Sequence, residues 1–268
     1  MWKWEADENA LASIVIIHGA FEHHGRYRWL VEMWRSSGFH VLMGDLPGQG
    51  TTTRSNRGHI DSFDEYIEEV DGWIKEAAKW ELPIFLIGHS MGGLVVVRLL
   101  QEKKVHLAGA ILSSPCLGLA KHPSKFLESI SWGLNKIAPK MKVSPKLTVD
   151  LVTRNVEVQN SDVNDSLYVT DVSVRWYREL IQGVHQAFDK VHKTLDVPLL
   201  VMQGGNDKIV DKQAVRKWFN QVKLNDKHYK EWQECYHEIF SEPNREIIFE
   251  YTVDFVKARL KLLGYYIE

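Results

Sequence analysis

The chain has 268 residues, of which 44% are hydrophobic, enough to form one large α/β core or two small ones. A net charge of −2 excludes the strongly basic surface typical of nucleic-acid-binding proteins, so we expect no nucleic-acid partner. The N-terminal residues lack a signal-peptide pattern, no segment contains about 18 uninterrupted apolar residues, and there are two cysteines. These features predict a cytoplasmic protein without a membrane span.

Short β-branched runs alternate with amphipathic stretches in the first part of the chain. Residues 13–19 (SIVIIHG) and 39–50 (FHVLMGDLPGQG) each predict a buried strand, and the segment between them has apolar residues at helical spacing up to Gly38. Residues 62–80 (SFDEYIEEVDGWIKEAAKW) have the clearest helical pattern, with a serine cap and acidic residues in the first turn.

Three further strands are predicted at 83–88, 108–114 and 197–205, with helices at MGGLVVVRLLQEK and KQAVRKWFNQV. Strands and helices in this order indicate a mostly parallel, doubly wound sheet with right-handed crossovers. Residues 116–192 interrupt the alternation with several helical patterns and no strong strand. The sequence therefore predicts one α/β core formed by 1–115 and 193–268, with 116–192 inserted as a helical cap.

The stretch LIGHSMGG (86–93) passes from an apolar strand into a helix, with Ser90 between Gly88 and Gly92. A serine on such a sharp turn takes a strained backbone conformation, and glycines two residues away on either side avoid a clash as the helix passes the strand. The hydroxyl then lies at the carboxyl end of the sheet, above a helix N-terminus. This context predicts a catalytic nucleophile; the alternative is a glycine-rich packing turn.

A serine hydroxyl needs a base, and the base needs an orienting acid. Asp207, just past the strand at 197–205, is the predicted acid; Asp211 is the runner-up, since its position fits the cap of the next helix. His237 follows a short strand-like run, HYKEW, and is the predicted base. His228 begins that run and is expected on the surface.

An acyl-transfer site also needs backbone donors for the oxyanion. The amide of Met91 directly follows the nucleophile at the start of its helix. The second donor is expected from the HGAF loop, where Ala20 is the first choice and Phe21 the second.

A group of histidines lies in the same loop at His18, His23 and His24. His18 ends a strand beside a glycine, a position that favours pinning of the loop by hydrogen bonding. No Cys/His/Asp spacing typical of a metal site accompanies the group, so neither a metal nor a cofactor is expected.

The predicted cap carries a local basic pattern between residues 121 and 146, where Glu128 is the only acid. The pattern consists of Lys121, Lys125, Lys136, Lys140, Lys142 and Lys146, interleaved with Phe126, Leu127, Ile130, Trp132, Leu134, Ile137 and Met141. An apolar stripe edged by lysines suits a lid that rests on an anionic lipid surface. The alternative is a stripe that packs on the sheet domain, with the lysines as a solvated edge.

Six segments resemble the monoacylglycerol lipase and lysophospholipase group of α/β hydrolases in their order and spacing: HGAFEHHGRY, DLPGQG, GHSMGGL, LSSPCLGL, QGGNDKIVD and YHEIFSEP. The cap segments LVTRN and NDSLYVTDVSVRWYREL are similar in particular to YtpA-type bacterial phospholipases, and the resemblance covers nearly the whole chain. It implies the α/β-hydrolase fold. By position it implies a nucleophile at Ser90, an acid at Asp207, a base at His237 and oxyanion amides at Ala20 and Met91.

The resemblance implies a serine carboxylic-ester hydrolase that acts on a lysophospholipid or a monoacylglycerol, with Phe21 and Leu117 binding the substrate. The chain departs from the group's usual pattern at Phe21, where a small glycine is frequent, and at DLPGQG, where a basic, His-containing turn is usual. Alternatives within the fold are a small-ester carboxylesterase and an aminopeptidase. A non-catalytic ligand-binding protein would show a broken triad, whereas this triad is whole.

Overall fold

The computed structural model of the chain describes residues 1–7, 9–52, 54–121, 124–145, 148–163 and 165–265. Its strands are β1 (Trp2–Trp4), β2 (Ala12–Ile17), β3 (Phe39–Met43), β4 (Ile84–His89), β5 (Gly109–Ser113), β6 (Lys142–Val143), β7 (Val172–Ser173), β8 (Leu199–Gly204) and β9 (Lys227–Trp232). Its α-helices are α1 (Arg28–Ser36), α2 (Asp64–Ala77), α3 (Met91–Glu102), α4 (Lys125–Ile137), α5 (Val156–Val163), α6 (Val174–Asp189), α7 (Lys212–Gln221) and α8 (Arg245–Leu262).

The main sheet has the strand order β1-β3-β2-β4-β5-β8-β9. Edge strand β1 is antiparallel to β3, and the other neighbouring pairs are parallel. The prediction of a mostly parallel α/β-hydrolase sheet is therefore confirmed. Because the carboxyl ends of parallel strands share one edge, the segments after β2, β4, β8 and β9 meet there.

Both faces of the sheet are covered, which explains why its strands appear in the sequence as continuous apolar runs. In β2, Val15 and Ile17 face a core shared with α2, α3, α6 and α7. Ile14 and Ile16 face the other core, which α1 and α8 complete. The sheet is thus clamped between two helical layers, and the carboxyl edge is left for the site.

Most predicted elements are present with shifts of one or two residues at their ends. The helix predicted from 62 begins at Asp64, and Ser62 Oγ accepts a hydrogen bond from the Asp64 amide at 3.2 Å. Gly38, predicted to end α1, has φ +85°, a conformation that favours glycine. Strand β1 and helix α8 are additional elements that the sequence patterns did not indicate.

The segment predicted as a cap, 116–192, contains α4, α5, α6 and the antiparallel pair β6–β7. Helix α6 contacts the core through hydrogen bonds from Gln101 Nε2 to Ala187 O (2.8 Å) and from Trp176 Nε1 to Tyr66 Oη (2.8 Å). Cys116 and Cys235 are free and buried. No helix among the described residues is long and apolar enough to cross a membrane.

The apolar stripe of the predicted cap lies on α4 and the turn that follows it. Leu127 and Trp132 are each 56% exposed and Ile137 is 81% exposed, so these side chains do not pack on the sheet. Lys136 and Lys140 are also exposed. The side chains of Lys125 and Phe126, and all of Lys146, lie outside the described residues.

Candidate active site

Ser90 lies on the turn between β4 and α3 with φ +51° and ψ −117°, the strained conformation predicted for it. Such a backbone costs about 1–3 kcal/mol and persists only where the surroundings hold it. Its amide donates to Ser113 O at 2.9 Å, and its carbonyl accepts from the amides of Leu94 (3.1 Å) and Cys116 (2.9 Å). The turn is therefore fixed by backbone bonds on both sides.

The two glycines that flank Ser90 are required by different neighbours. A Cβ on Gly88 would lie 2.6 Å from Gly92 O, which is the predicted clash between strand and helix. A Cβ on Gly92 would lie 2.3 Å from Ile17 O, so this glycine clears the adjacent strand β2 instead. The close approach brings the loop after β2 next to the serine, where a Cβ on Gly19 would lie 3.2 Å from the Ser90 Cβ.

Ser90, His237 and Asp207 form one hydrogen-bonded chain. His237 Nε2 lies 2.8 Å from Ser90 Oγ, and His237 Nδ1 lies 2.8 Å from Asp207 Oδ2. Asp207 is also the acceptor for the amides of Ile209 (2.8 Å) and Val210 (2.9 Å), which orient its carboxylate. The structure thus brings the three residues together in the geometry of a nucleophile, a base and an orienting acid.

The pairing of Asp207 with His237 shifts the pKa of each residue in the direction that favours its charged form. Burial by itself lowers the pKa of His237, but the charge and hydrogen bond of Asp207 outweigh it and raise the pKa above the ordinary 6.5. Burial raises the pKa of Asp207, but the imidazole and backbone donors bring it below its ordinary value. Asp207 is therefore ionised when His237 takes up a proton.

Ala20 and Met91 both line the cavity beside Ser90, and within the described part of the chain neither backbone amide donates to a protein acceptor. The Phe21 amide instead donates to Gln49 Oε1 at 2.9 Å. The geometry therefore favours Ala20 over Phe21 as the partner of Met91.

Asp211 and His228, the alternative candidates for the acid and the base, have other partners. Asp211 caps α7, as predicted, by accepting from the Gln213 amide at 2.9 Å. His228 lies on the surface at the amino end of β9, as predicted, 2.9 Å from Asp226 Oδ1 and 2.7 Å from Arg259 Nη2. Neither residue reaches Ser90.

Each of the three histidines near residue 20 has its own partners. His18 pins the loop, as predicted, with Nδ1 2.7 Å from Gly19 O and Nε2 accepting from the Leu46 amide at 2.9 Å. His23 Nε2 lies 2.6 Å from Asp165 Oδ2 in the predicted cap, and His24 Nδ1 lies 2.9 Å from Asp45 Oδ1.

A buried charge cluster beside the triad was not predicted from the sequence. Arg26 donates to Glu22, to Asp162 and, at 3.0 and 3.1 Å, to the two oxygens of Glu238. Glu22 Oε2 also accepts from the Gly19 amide at 2.7 Å. Burial raises the pKa of Glu22, but Arg26 and the hydrogen bond from Tyr27, with smaller contributions from Glu238 and His18, together lower the pKa below the ordinary value. The four-residue spacing of Glu22 and Arg26 was the available local signal.

Glu22, His89 and Glu238 each offer a ligand atom, and these atoms lie within 4.8 Å of one another. Both carboxylates already bind the Arg26 guanidinium, which supplies a fixed cation. Burial and the nearby His237 lower the pKa of His89 to about 3, so its ring is neutral, and Nδ1 lies 3.1 Å from Ser113 O. Glu22, His89 and Glu238 therefore form a polar wall, in which Arg26 holds the two carboxylates.

Two cavities meet at this wall. An apolar cavity of about 690 Å³ extends from Ser90 under α4, with Phe21 and Trp176 in its lining. A cavity of about 540 Å³ with more polar walls lies on the other side, and Glu22, His89 and Glu238 line both. Leu117, expected to bind the substrate, is buried in the core, while its neighbours Cys116 and Leu119 line the apolar cavity.

Asp207→Asn should lower the pKa of His237 below its wild-type value, because the opposing charge is lost while the burial remains. We expect the wild-type His237 pKa to lie above 6.5 and Asp211→Asn to leave it unchanged. NMR titration of the imidazole resonances measures all three values. An unchanged His237 pKa in Asp207→Asn would show that this carboxylate does not control the base.

Comparisons with known proteins agree with the fold. The family model described as Hydrolase_4, serine aminopeptidase S33, matches residues 8–244. The chain is 59% identical over 251 residues to Phospholipase YtpA of Bacillus subtilis (93% of this chain, 96% of that protein) and 28% identical over 245 residues to human monoglyceride lipase (89% and 79%). The crystal structure of Paleococcus ferrophilus monoacylglycerol lipase matches with a TM-score of 0.86 and 29% identity, covering 96% of this chain and 98% of that one. The chain is therefore a hydrolase that belongs to the Hydrolase_4 family, in its monoacylglycerol lipase and phospholipase group.

Proposed function

We propose that the protein hydrolyses the acyl ester of a single-chain lipid, a monoacylglycerol or a lysophospholipid, through an acyl-enzyme on Ser90. The observation that carries the proposal is the intact chain Ser90–His237–Asp207 at the mouth of a large apolar cavity. The relatives' names, phospholipase and monoglyceride lipase, agree with this substrate class.

Acylation begins when Ser90 Oγ attacks the ester carbonyl and His237 Nε2 takes the hydroxyl proton. The carbonyl π electrons move onto oxygen, and the amides of Ala20 and Met91 stabilise the oxyanion. Asp207 remains ionised and stabilises the imidazolium. The intermediate collapses when the bond to the alcohol oxygen breaks and His237 returns its proton to that oxygen.

Deacylation repeats these steps with water. His237 removes a proton from water, the resulting hydroxide attacks the acyl carbonyl, and the same two amides hold the oxyanion. The Ser90 ester bond then breaks, and His237 protonates Oγ to release a fatty acid and restore the enzyme.

The two cavities divide the substrate between them. The apolar cavity has a volume in the range of small-molecule sites and accommodates the acyl chain. The more polar cavity begins at Glu22 and Glu238, whose oxygens can accept hydrogen bonds from the hydroxyls of the alcohol part. An ester between these compartments places its carbonyl at Ser90.

The geometry favours lipid hydrolysis over the aminopeptidase activity in the family description. An aminopeptidase needs an acidic group to bind the substrate ammonium close to the nucleophile. The carboxylates of Glu22 and Glu238 are paired with Arg26, and the cavity on the acyl side is mainly apolar. A small-ester carboxylesterase would leave most of that cavity empty.

We also propose that α4 docks on an anionic lipid surface and passes single chains to Ser90. The exposed Leu127, Trp132 and Ile137 are suited to contact acyl chains, and Lys136 and Lys140 complement anionic head groups. Lys142 is excluded from this role because its ammonium donates to the backbone carbonyl of Arg57.

Mass spectrometry of the products from a mixed panel tests the proposed reaction. The panel contains lysophospholipids, monoacylglycerols, diacyl lipids and aminoacyl amides. We expect fatty acid release from the single-chain esters, with Ser90→Ala reducing turnover on the order of 10⁴-fold or more. Turnover confined to the aminoacyl amides, or undiminished lipid hydrolysis by Ser90→Ala, would contradict the proposal.

The double variant Lys136→Gln/Lys140→Gln should bind anionic vesicles roughly tenfold or more weakly, because each surface lysine contributes about 1 kcal/mol. Turnover of a short soluble ester should be unchanged. Added salt should weaken wild-type binding, since screening acts over roughly 8–10 Å. Vesicle co-sedimentation measures the binding.

The matched control is Lys223→Gln/Lys261→Gln, which removes the same charge from exposed sites. Lys223 lies between α7 and β9, and Lys261 lies in the last turn of α8, both away from the carboxyl edge of the sheet. Equal loss of vesicle binding in both double variants would show that binding depends on the net charge of the protein and not on α4. Wild-type binding by the α4 variant would remove the docking proposal.

A further inference from the structure

The loop that carries His237 is held by hydrogen bonds on both sides of the histidine. The amide of Glu238, the next residue, donates to Val152 O at 2.8 Å. The amide of Tyr236, the preceding residue, donates to Glu242 Oε1 at 2.9 Å. The residues before and after His237 are thus held by a carboxylate on one side and by the predicted cap segment on the other.

Glu242 links that carboxylate to the same cap segment. Its side chain is fully buried and accepts from the Arg154 amide at 3.2 Å and from Arg154 Nε at 2.7 Å. A buried carboxylate is tolerated only when its charge is paired and its oxygens are hydrogen-bonded. Arg154 is therefore the cation that allows Glu242 to remain beside the Tyr236 amide.

Residues 151–154, which we name the strap, also form part of the substrate cavity. Leu151 and Val152 line the apolar cavity that extends from Ser90. Thr153 is buried, and its hydroxyl donates to Ser241 O at 3.0 Å. One side of the strap therefore faces the acyl chain, while the other side binds the loop of His237.

We propose that Arg154 and Glu242 are positioning residues that hold His237 within hydrogen-bond reach of Ser90, and that an acyl chain packed against the strap strengthens this hold. The inference rests on the proposed role of His237 as the base. Proton transfer from Ser90 depends on the 2.8 Å contact, and a loop displaced by about 1 Å can slow a reaction on the order of 10²-fold. Turnover therefore depends on whether an acyl chain occupies the apolar cavity that Leu151 and Val152 line.

Arg154→Gln and Glu242→Gln test the proposal with two substrates, a short soluble ester and a long-chain monoacylglycerol. With the short ester we expect kcat to fall roughly 10- to 100-fold while KM changes less than about twofold. The long-chain ester should show a clearly smaller fall in kcat, because its chain supports Leu151 and Val152. Arg154→Lys, which keeps the charge, should restore part of the lost kcat.

The rate of labelling by a small fluorophosphonate reports the reactivity of Ser90 without substrate binding, and it should fall in parallel with kcat on the short ester. Arg259→Gln is the control, since it removes another ion pair, 2.6 Å to Asp226, just before β9. It should leave both rates unchanged. The Arg154 side chain is 34% exposed, so its replacement tests the idea even if Glu242→Gln fails to fold.

Wild-type kcat and labelling in Arg154→Gln would overturn the inference. Equal losses of kcat on the short and the long ester, in a variant with a lower melting temperature, would also overturn it, because they would indicate general destabilisation. Ser90→Ala separates this failure from failure of the proposed function. Hydrolysis of both esters at the wild-type rate by Ser90→Ala would overturn the function and the inference together.

Discussion

The site depends on the strained backbone of Ser90. A conformation that costs about 1–3 kcal/mol is held by hydrogen bonds to Ser113, Leu94 and Cys116. The bonds to Ser113 and Leu94 belong to the sheet and to α3, so backbone structure fixes the position of Ser90. Loops after β2, β8 and β9 then bring Ala20, Asp207 and His237, the proposed oxyanion donor, acid and base, to the same edge of the sheet, because their strands end there.

Buried charge is the second constraint, and two separate systems of buried charge lie at the site. Asp207 is satisfied by His237 and by the amides of Ile209 and Val210, which keeps it ionised next to the base. Arg26 is the shared partner of Glu22, Asp162 and Glu238, and so joins the loop after β2, the loop that carries His237 and α5. Removing one member of such a cluster leaves an unpaired buried charge, which is more damaging than losing a surface pair. Glu22 and Glu238 also form part of the polar wall between the two cavities.

Local signals predicted the strands and the turn at Ser90, because the buried strands appear as apolar runs in the sequence. Asp207 follows one of these runs, whereas His237 was placed only by the strand-like run HYKEW. Helix α8 was missed because charged residues interrupt its buried positions, and β1 because its three residues depend on pairing with β3. Asp162 and Glu238, the other two partners of Arg26 besides the nearby Glu22, lie 136 and 212 residues away, so no local pattern could reveal them. Leu117 follows β5 outside any strand, so the alternation of side chains along a strand does not tell which of them faces the cavity. The exposure of the α4 stripe depends on tertiary packing, which the sequence pattern does not show either.

Fluorophosphonate labelling followed by peptide mapping tests the central claim that Ser90 is a nucleophile activated by His237 and Asp207. We expect a single adduct on the peptide that contains Ser90. We also expect much slower labelling in His237→Ala and an intermediate rate in Asp207→Asn, with His228→Ala and Asp211→Asn as unaffected controls. An adduct on another residue, or labelling of Ser90 at the wild-type rate without His237, would contradict the proposed activation of Ser90.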